Sequence, residues 1–245
     1  MNCKVAISTP VDGHPDDALV HYSVQLAQRK LGNVLRLDEL GDFAGYWVGS
    51  MDLVRARDRM ARMFLFETDA THLLHWDEDV LPDDLNIVNR MLESGYDCIG
   101  APYRRKKQKE EYPYRPMDAD VEVVNGCVEV AALAFGFMLT SRACLQTMWN
   151  SYYAERTYID VVSGSKDGKN VAHETVSMFD LMYTEPRPAP DGKPWRIKLS
   201  EDYSFCESYR RIGGKVMMYV GEGSPVGHIG SHVFRGTREG LAGMF

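Results

Sequence analysis

The run Leu73-Leu74-His75-Trp76 is short and apolar, and it stops abruptly at three acids, Asp77-Glu78-Asp79. An apolar run of this length, bounded by polar residues, reads as a buried strand. Pro82 and a second acid pair, Asp83-Asp84, then open a helical pattern over residues 85–92. Proline suits the first position of a helix, and acids suit its first turn. A buried strand that hands over to a helix in this way commits its neighbourhood to an α/β arrangement. Strand side chains alternate faces, so a strand carried through residue 79 aims Asp77 and Asp79 one way and Glu78 the other. Two carboxylates projecting together can hold a hard divalent cation. The simpler reading, acids that favour a helix start, covers Asp83 and Asp84 but leaves the triple acid unexplained.

The flanking chain repeats the alternation of strand and helix. Residues 4–8 make a short apolar strand that stops at Thr9-Pro10-Val11-Asp12-Gly13. Residues 16–31 carry helical spacing up to Gly32, and residues 34–37 form a second strand. Strand, helix, strand implies parallel pairing, and ligands on such sheets sit beyond the carboxyl ends of the strands. The loop at Thr9 and the acids at Asp77 and Asp79 fall there. Residues 51–67 are the longest helical stretch, with Leu53, Val54, Ala61, Phe64 and Leu65 as its apolar face. Its arginines, at 55, 57, 59 and 62, are expected to be mostly solvated, with Arg57 near the helix start able to reach a phosphate or nucleotide.

Further along, residues 97–100 form a strand, and residues 121–130 alternate around Asn125-Gly126 as a hairpin. Residues 134–140 read as a buried strand leading into a helix from 141 to about 149. Gly136 within it suggests close approach of a ligand or a neighbouring backbone. Residues 151–198 hold a Gly/Ser/Lys/Asp loop and a proline-rich run, and read as an insertion or long flap with weak regular structure. Ser200-Glu201-Asp202 opens a helix that stops at Gly213-Gly214, and a last strand covers 215–220. First-turn acids behind a Ser cap are good helix chemistry in themselves. His228 stands among small residues that leave its ring accessible.

Arg104, Arg105, Lys106, Lys107 and Lys109 crowd the exit of the strand at 97–100, in a chain of net charge −7. Such a run is either a solvated loop or a phosphate-contacting arm. The total charge excludes a chain that is basic all over, so any nucleic-acid contact is local. No apolar run approaches the ~20 residues of a membrane helix. The first residues turn polar too quickly for a signal peptide. Five cysteines without a paired spacing indicate neither a disulfide framework nor a zinc site, and point to the cytoplasm.

In their order, these pieces resemble the GT-A glycosyltransferases. His75-Trp76-Asp77-Glu78-Asp79 with Pro82 resembles the family's DxD motif, and Ala134 to Leu139 its Gly-Phe-Met strand. Ser200-Glu201-Asp202-Tyr203 is similar to its Glu-Asp element, and Gly227-His228-Ile229-Gly230 to its C-terminal metal histidine. With Ile99 to Arg104 added, the set is similar to phage-encoded members, including those that glycosylate hydroxymethylated pyrimidines in DNA.

The resemblance implies one domain over 1–245, with a donor half at about 1–100 and an acceptor half at about 101–245. Its fold would be a Rossmann-like, mostly parallel central sheet flanked by helices, with a hairpin and a long loop insertion. Asp77, Asp79 and His228 would hold Mn²⁺ or Mg²⁺, a set of carboxylate and imidazole that Mn²⁺ accepts. Thr9, Pro10, Arg57, Asp77 and Glu78 would bind a nucleotide sugar such as UDP-glucose. Glu201 and Asp202 would be the catalytic carboxylates, with Asp202 the base of an inverting enzyme or the acceptor-orienting group of a retaining one. Arg104, Arg105, Lys106, Lys107 and Gly136 would face the acceptor, DNA in the favoured case. A surface glycan, lipid-linked sugar or protein is the alternative acceptor. A non-catalytic nucleotide- or nucleic-acid-binding module is the reading outside enzymology.

Overall fold

The computed structural model describes residues 3–10, 53–162, 170–188, 193–230 and 232–243. The helix expected at 16–31 and the strand at 34–37 lie outside them. Among the described residues the strands are β1 (Val5–Ser8), β2 (His72–Trp76), β3 (Val80–Leu81), β4 (Cys98–Gly100), β5 (Tyr114–Arg115), β6 (Cys127–Glu129), β7 (Ala132–Leu133) and β8 (Phe137–Ser141). They continue with β9 (Thr157–Val162), β10 (Val171–Val176), β11 (Arg187–Pro188), β12 (Pro194–Trp195), β13 (Met217–Tyr219), β14 (Gly227–Ile229) and β15 (Val233–Phe234). The helices are α1 (Leu53–Glu67), α2 (Asn86–Glu93), α3 (Arg142–Arg156), α4 (Glu201–Arg211) and α5 (Arg238–Ala242).

Six strands form the central sheet in the order β1-β2-β8-β4-β13-β6. β1 pairs parallel with β2, and β4 with β13, whereas β8 runs antiparallel to both β2 and β4, and β6 antiparallel to β13. The architecture is α/β, but the expected mostly parallel sheet is corrected to a mixed one. The cause is β8, which wedges between two strands of the opposite sense and delivers the chain straight into α3. Adjacent residues of the inner strands enter different cores, as alternation requires. Leu73 packs with Ala61 and Phe64 of α1, while Leu74 packs with Ile87 and Met91 of α2. Both faces are covered, which is why these strands lack a polar side.

Four local expectations change. First, β2 ends at Trp76, and Asp77-Glu78-Asp79 form a tight turn, with the Val80 amide donating to the Asp77 carbonyl at 3.1 Å. Strand alternation therefore does not set the direction of these acids. Second, Pro82 does not start the next helix: α2 begins at Asn86, whose amide donates to Asp84 at 2.9 Å, and Asp83 pairs instead with Arg235. Third, Asn125 and Gly126 have positive φ (52° and 73°), as a tight hairpin turn needs, but only Val124 and Cys127 pair across it. The following residues, β6, are recruited to the edge of β13. Fourth, the stretch 151–198 is more regular than a flap: α3 extends to Arg156, and β9 and β10 pair over six residues each.

Candidate active site

The site is delivered by α1, the turn after β2, the basic loop, α4 and β14. The turn after β2 is pinned at both ends: the Asp77 amide donates to the Gly136 carbonyl at 2.9 Å, and the Trp76 indole donates to the Val80 carbonyl at 2.7 Å. β3 leaves the turn and pairs with β14, setting His228 opposite Val80, and the Ile229 amide donates to the Asp79 carbonyl at 2.6 Å. That register brings His228 Nε2 to 3.3 Å from Asp79 Oδ2. The other ring nitrogen, Nδ1, lies 2.9 Å from the carbonyl of Arg104. A carbonyl only accepts, so Nδ1 carries a proton, and Nε2 is the nitrogen presented to Asp79. Backbone support of the distal nitrogen is how ligand histidines are oriented. Lys106 Nζ reaches the same Asp79 Oδ2 at 2.6 Å. Burial pushes the Asp79 carboxyl up, but His228 and Lys106 outweigh it and hold the group below the usual carboxylate range.

Asp77 turns the other way. It accepts from Arg57 Nη2 at 3.0 Å, and Arg57 Nε stands 3.6 Å from Glu201 at the start of α4. Arg57 is buried and its guanidinium approaches the Phe135 ring, so it underpins the acids from α1; its Nε and Nη1 have no hydrogen-bond partner among the described residues. Burial alone would lower its pKa, but Asp77, Glu201 and Asp202 hold it above its ordinary value. Glu201 is pushed up by burial and by the Asp202 charge. Burial likewise raises Asp202, against the Ser200 hydroxyl and Tyr203 amide that donate to it. The Ser200 hydroxyl thus serves Asp202 and does not cap the helix amides, contrary to the simplest expectation for a Ser N-cap.

A cleft of about 590 Å³ has Asp79, His228, Tyr103, Ser200, Asp202 and Tyr203 among its walls, whereas Asp77, Glu78, Arg57 and Glu201 lie outside its lining. Arg105, Lys106 and Lys107 line it as well, so much of the basic run belongs to the site. The run is also folded onto itself: Arg104 donates to the carbonyls of Lys107 and Arg235, at 3.1 and 3.2 Å, and Lys107 pairs with Glu111. The space that Gly136 leaves open is filled by Tyr103: a Cβ there would stand 2.5 Å from the ring, which in turn packs edge-on against His228. The close approach expected at Gly136 is made by that tyrosine side chain. Thr9 is buried and Pro10 half-buried directly after β1, beside the end of β2, and Glu78 is half-buried in the turn. His75 is fully buried between the Ser8 and Thr140 hydroxyls, a core histidine whose pKa burial drives far down.

Sequence reasoning missed Lys106 as the partner of Asp79, and Tyr103 and Tyr203 as walls. The one local signal for Tyr103 was its place at a strand exit. Asp79 and His228 converge, but among the described residues no group of three or more His, Cys, Asp or Glu is arranged to hold a metal. The expected third ligand, Asp77, is committed to Arg57. Two protein donors beside an open cleft still fit Mg²⁺ or Mn²⁺, which commonly complete their shells with water and substrate phosphates.

No family model matches the chain, and no curated protein matches it. Among solved structures the chain is similar to A197 from STIV, at 15% identity and a TM-score of 0.49, covering 93% of this chain and 85% of that one.

Proposed function

We propose that the chain is a metal-dependent glycosyltransferase of the GT-A kind, which moves a hexose from a nucleoside diphosphate sugar, UDP-linked in the first instance, to a hydroxyl acceptor. The observation that carries this reading is the meeting of Asp79, His228 and Asp202, distant in sequence, around one cleft with a cationic wall. Asp79 and His228 would hold Mn²⁺ or Mg²⁺, which supplies neutralisation of the charge on the departing diphosphate. Arg105 and Lys107 add positive charge to the lining of the same cleft. Asp202 lines it as well. A carboxyl raised by burial is a stronger base than a solvated one, suited to taking the acceptor proton. In the inverting case, the acceptor oxygen bonds to the anomeric carbon as that carbon's bond to the diphosphate breaks. The leaving group keeps the bonding pair, and Asp202 keeps the proton.

The favoured acceptor is a hydroxymethylated pyrimidine in DNA, since the cations of 105–107 line the cleft mouth. One observation favours the alternative, a hydroxyl on a glycan, lipid-linked sugar or protein: Arg104, Lys106 and Lys107 are engaged within the protein and not extended as an arm. Release of UDP from UDP-sugars, with Mn²⁺ and each acceptor class, tests both. Asp79→Asn is expected to abolish metal-dependent release, and Asp202→Asn to lower kcat by about 10²–10⁴. Full turnover in Asp79→Asn would discard the metal site. Transfer confined to non-DNA acceptors would move the assignment to the alternative.

A further inference from the structure

We propose that Lys106 is an exchangeable counter-ion: its ammonium holds Asp79 while the site is free of nucleotide, and passes to the donor's diphosphate when a divalent cation takes Asp79. The inference rests on the nucleotide-sugar reading above and moves Lys106 from the acceptor to the donor. The geometry is specific. Lys106 Nζ and His228 Nε2 approach the same oxygen, Asp79 Oδ2, at 2.6 and 3.3 Å. A divalent ion bound to that oxygen would stand against the ammonium, and two cations on one carboxylate oxygen repel. Metal and Lys106 therefore compete for Asp79 Oδ2.

The lysine is also built to move a short way. It is partly exposed, with a side-chain accessibility of 38%, and its stem lies over Gly230, where an added Cβ would come within 3.2 Å of Lys106 Cδ. Four flexible methylenes carry three donors that can be re-aimed without moving the backbone. The backbone itself is held, since the Lys107 amide donates to the Arg105 carbonyl at 2.7 Å and the Arg105 amide to the Glu111 carbonyl at 2.8 Å. The cleft that Lys106 lines, shared with Arg105 and Lys107, is where a diphosphate would accept the released charge. Metal and nucleotide then bind with positive coupling: each removes the obstacle to the other, and the bare protein takes up metal poorly.

The test is direct binding of Mn²⁺, followed by the electron paramagnetic resonance of the free ion. The full chain, Lys106→Met and Asp79→Asn are compared, with and without UDP. Methionine keeps the stem and removes the charge. Without UDP, Lys106→Met is expected to bind Mn²⁺ about fivefold more tightly than the unaltered protein, the ratio for losing one partly exposed ion pair. At saturating Mn²⁺, UDP is expected to bind Lys106→Met several-fold more weakly. Unchanged Mn²⁺ affinity would overturn the exchange while leaving the metal site standing. Tighter Mn²⁺ with unchanged UDP binding would overturn it too, because the ammonium would have no second seat. Absence of Mn²⁺ binding in every variant, with or without UDP, would remove both the exchange and the metal reading.

Discussion

Asp58 lies fully buried on α1 and accepts from the Ser177 hydroxyl at 2.8 Å and from the Met178 and Phe179 amides at 2.8 and 3.0 Å. It ties the end of β10 to the helix. Burial outweighs these donors and pushes its carboxyl up to about 7. In the unfolded chain the group has the ordinary value of roughly 3.9. Between those values the folded protein keeps a proton that the unfolded chain releases, so rising pH favours unfolding. The stabilising contribution is complete below about pH 4, declines through the window, and is spent above about pH 7, with a slope of at most ~1.4 kcal/mol per pH unit. Glu201 and Asp202 shift in the same direction, so the comparison must be with a variant. Thermal unfolding of Asp58→Asn from pH 4.5 to 7 is expected to show a shallower decline of Tm than the unaltered protein. Equal slopes would mean that Asp58 titrates as a solvated acid.

Among elements, the hairpin of β9 and β10 depends on charge as much as on apolar contact. Asp160 of β9 accepts from Arg55 Nε and Arg59 Nη2 of α1, both at 2.7 Å, and from Arg59 Nε. Asp160 and Arg59 are buried. Removing one partner of a buried pair strands the other, so Asp160→Ala is expected to cost about 3–5 kcal/mol in denaturant unfolding. Replacing both, as Asp160→Val with Arg59→Met, is expected to recover most of that loss, because two apolar groups strand no charge. A loss under about 1 kcal/mol for the single variant would show the clamp to be dispensable. The same clamp explains why this hairpin was illegible in the sequence. Its polarity is inverted: Asp160 points inward, while Ile159 and Val161 are exposed at 61% and 42%. Hydropathy along α1 likewise could not show that Arg57 and Arg59 are buried, since their acids lie far along the chain. α2, α3 and α4 were legible because apolar spacing is local, although the start of α2 and the end of α3 fall elsewhere than expected. Ser141 accepts from the Cys144 amide at 3.0 Å to start α3. At the site, Asp79, Asp202 and His228 could be read as a pattern. The strand end at Trp76, the divergence of Asp77 and the hold of Lys106 on Asp79 are tertiary facts that no local pattern carries.

Across the whole molecule, the site is assembled from α1, the turn after β2, the basic loop, α4 and β14. No segment contains it, so a ligand that fills the cleft binds only the folded state and stabilises all of these elements together. The charge distribution agrees with the proposed ligand. A chain of net charge −7 gathers Arg105, Lys106 and Lys107 in the lining of the cleft, which suits an anion presented with its own cation. UDP with Mn²⁺ is therefore expected to raise Tm. At a hundred times Kd the gain is ~2.7 kcal/mol, and at about 2–4 °C per kcal/mol for a chain of this size the shift is roughly 5–10 °C. The increment due to Mn²⁺ should vanish in Asp79→Asn and in His228→Ala, and should survive in Asp58→Asn, whose carboxyl lies away from the cleft. The shift should also shrink as salt is raised, because the cationic wall is open to solvent. No shift with any nucleoside diphosphate, with or without Mn²⁺, would leave the cleft without its nucleotide and the proposed transferase without its donor.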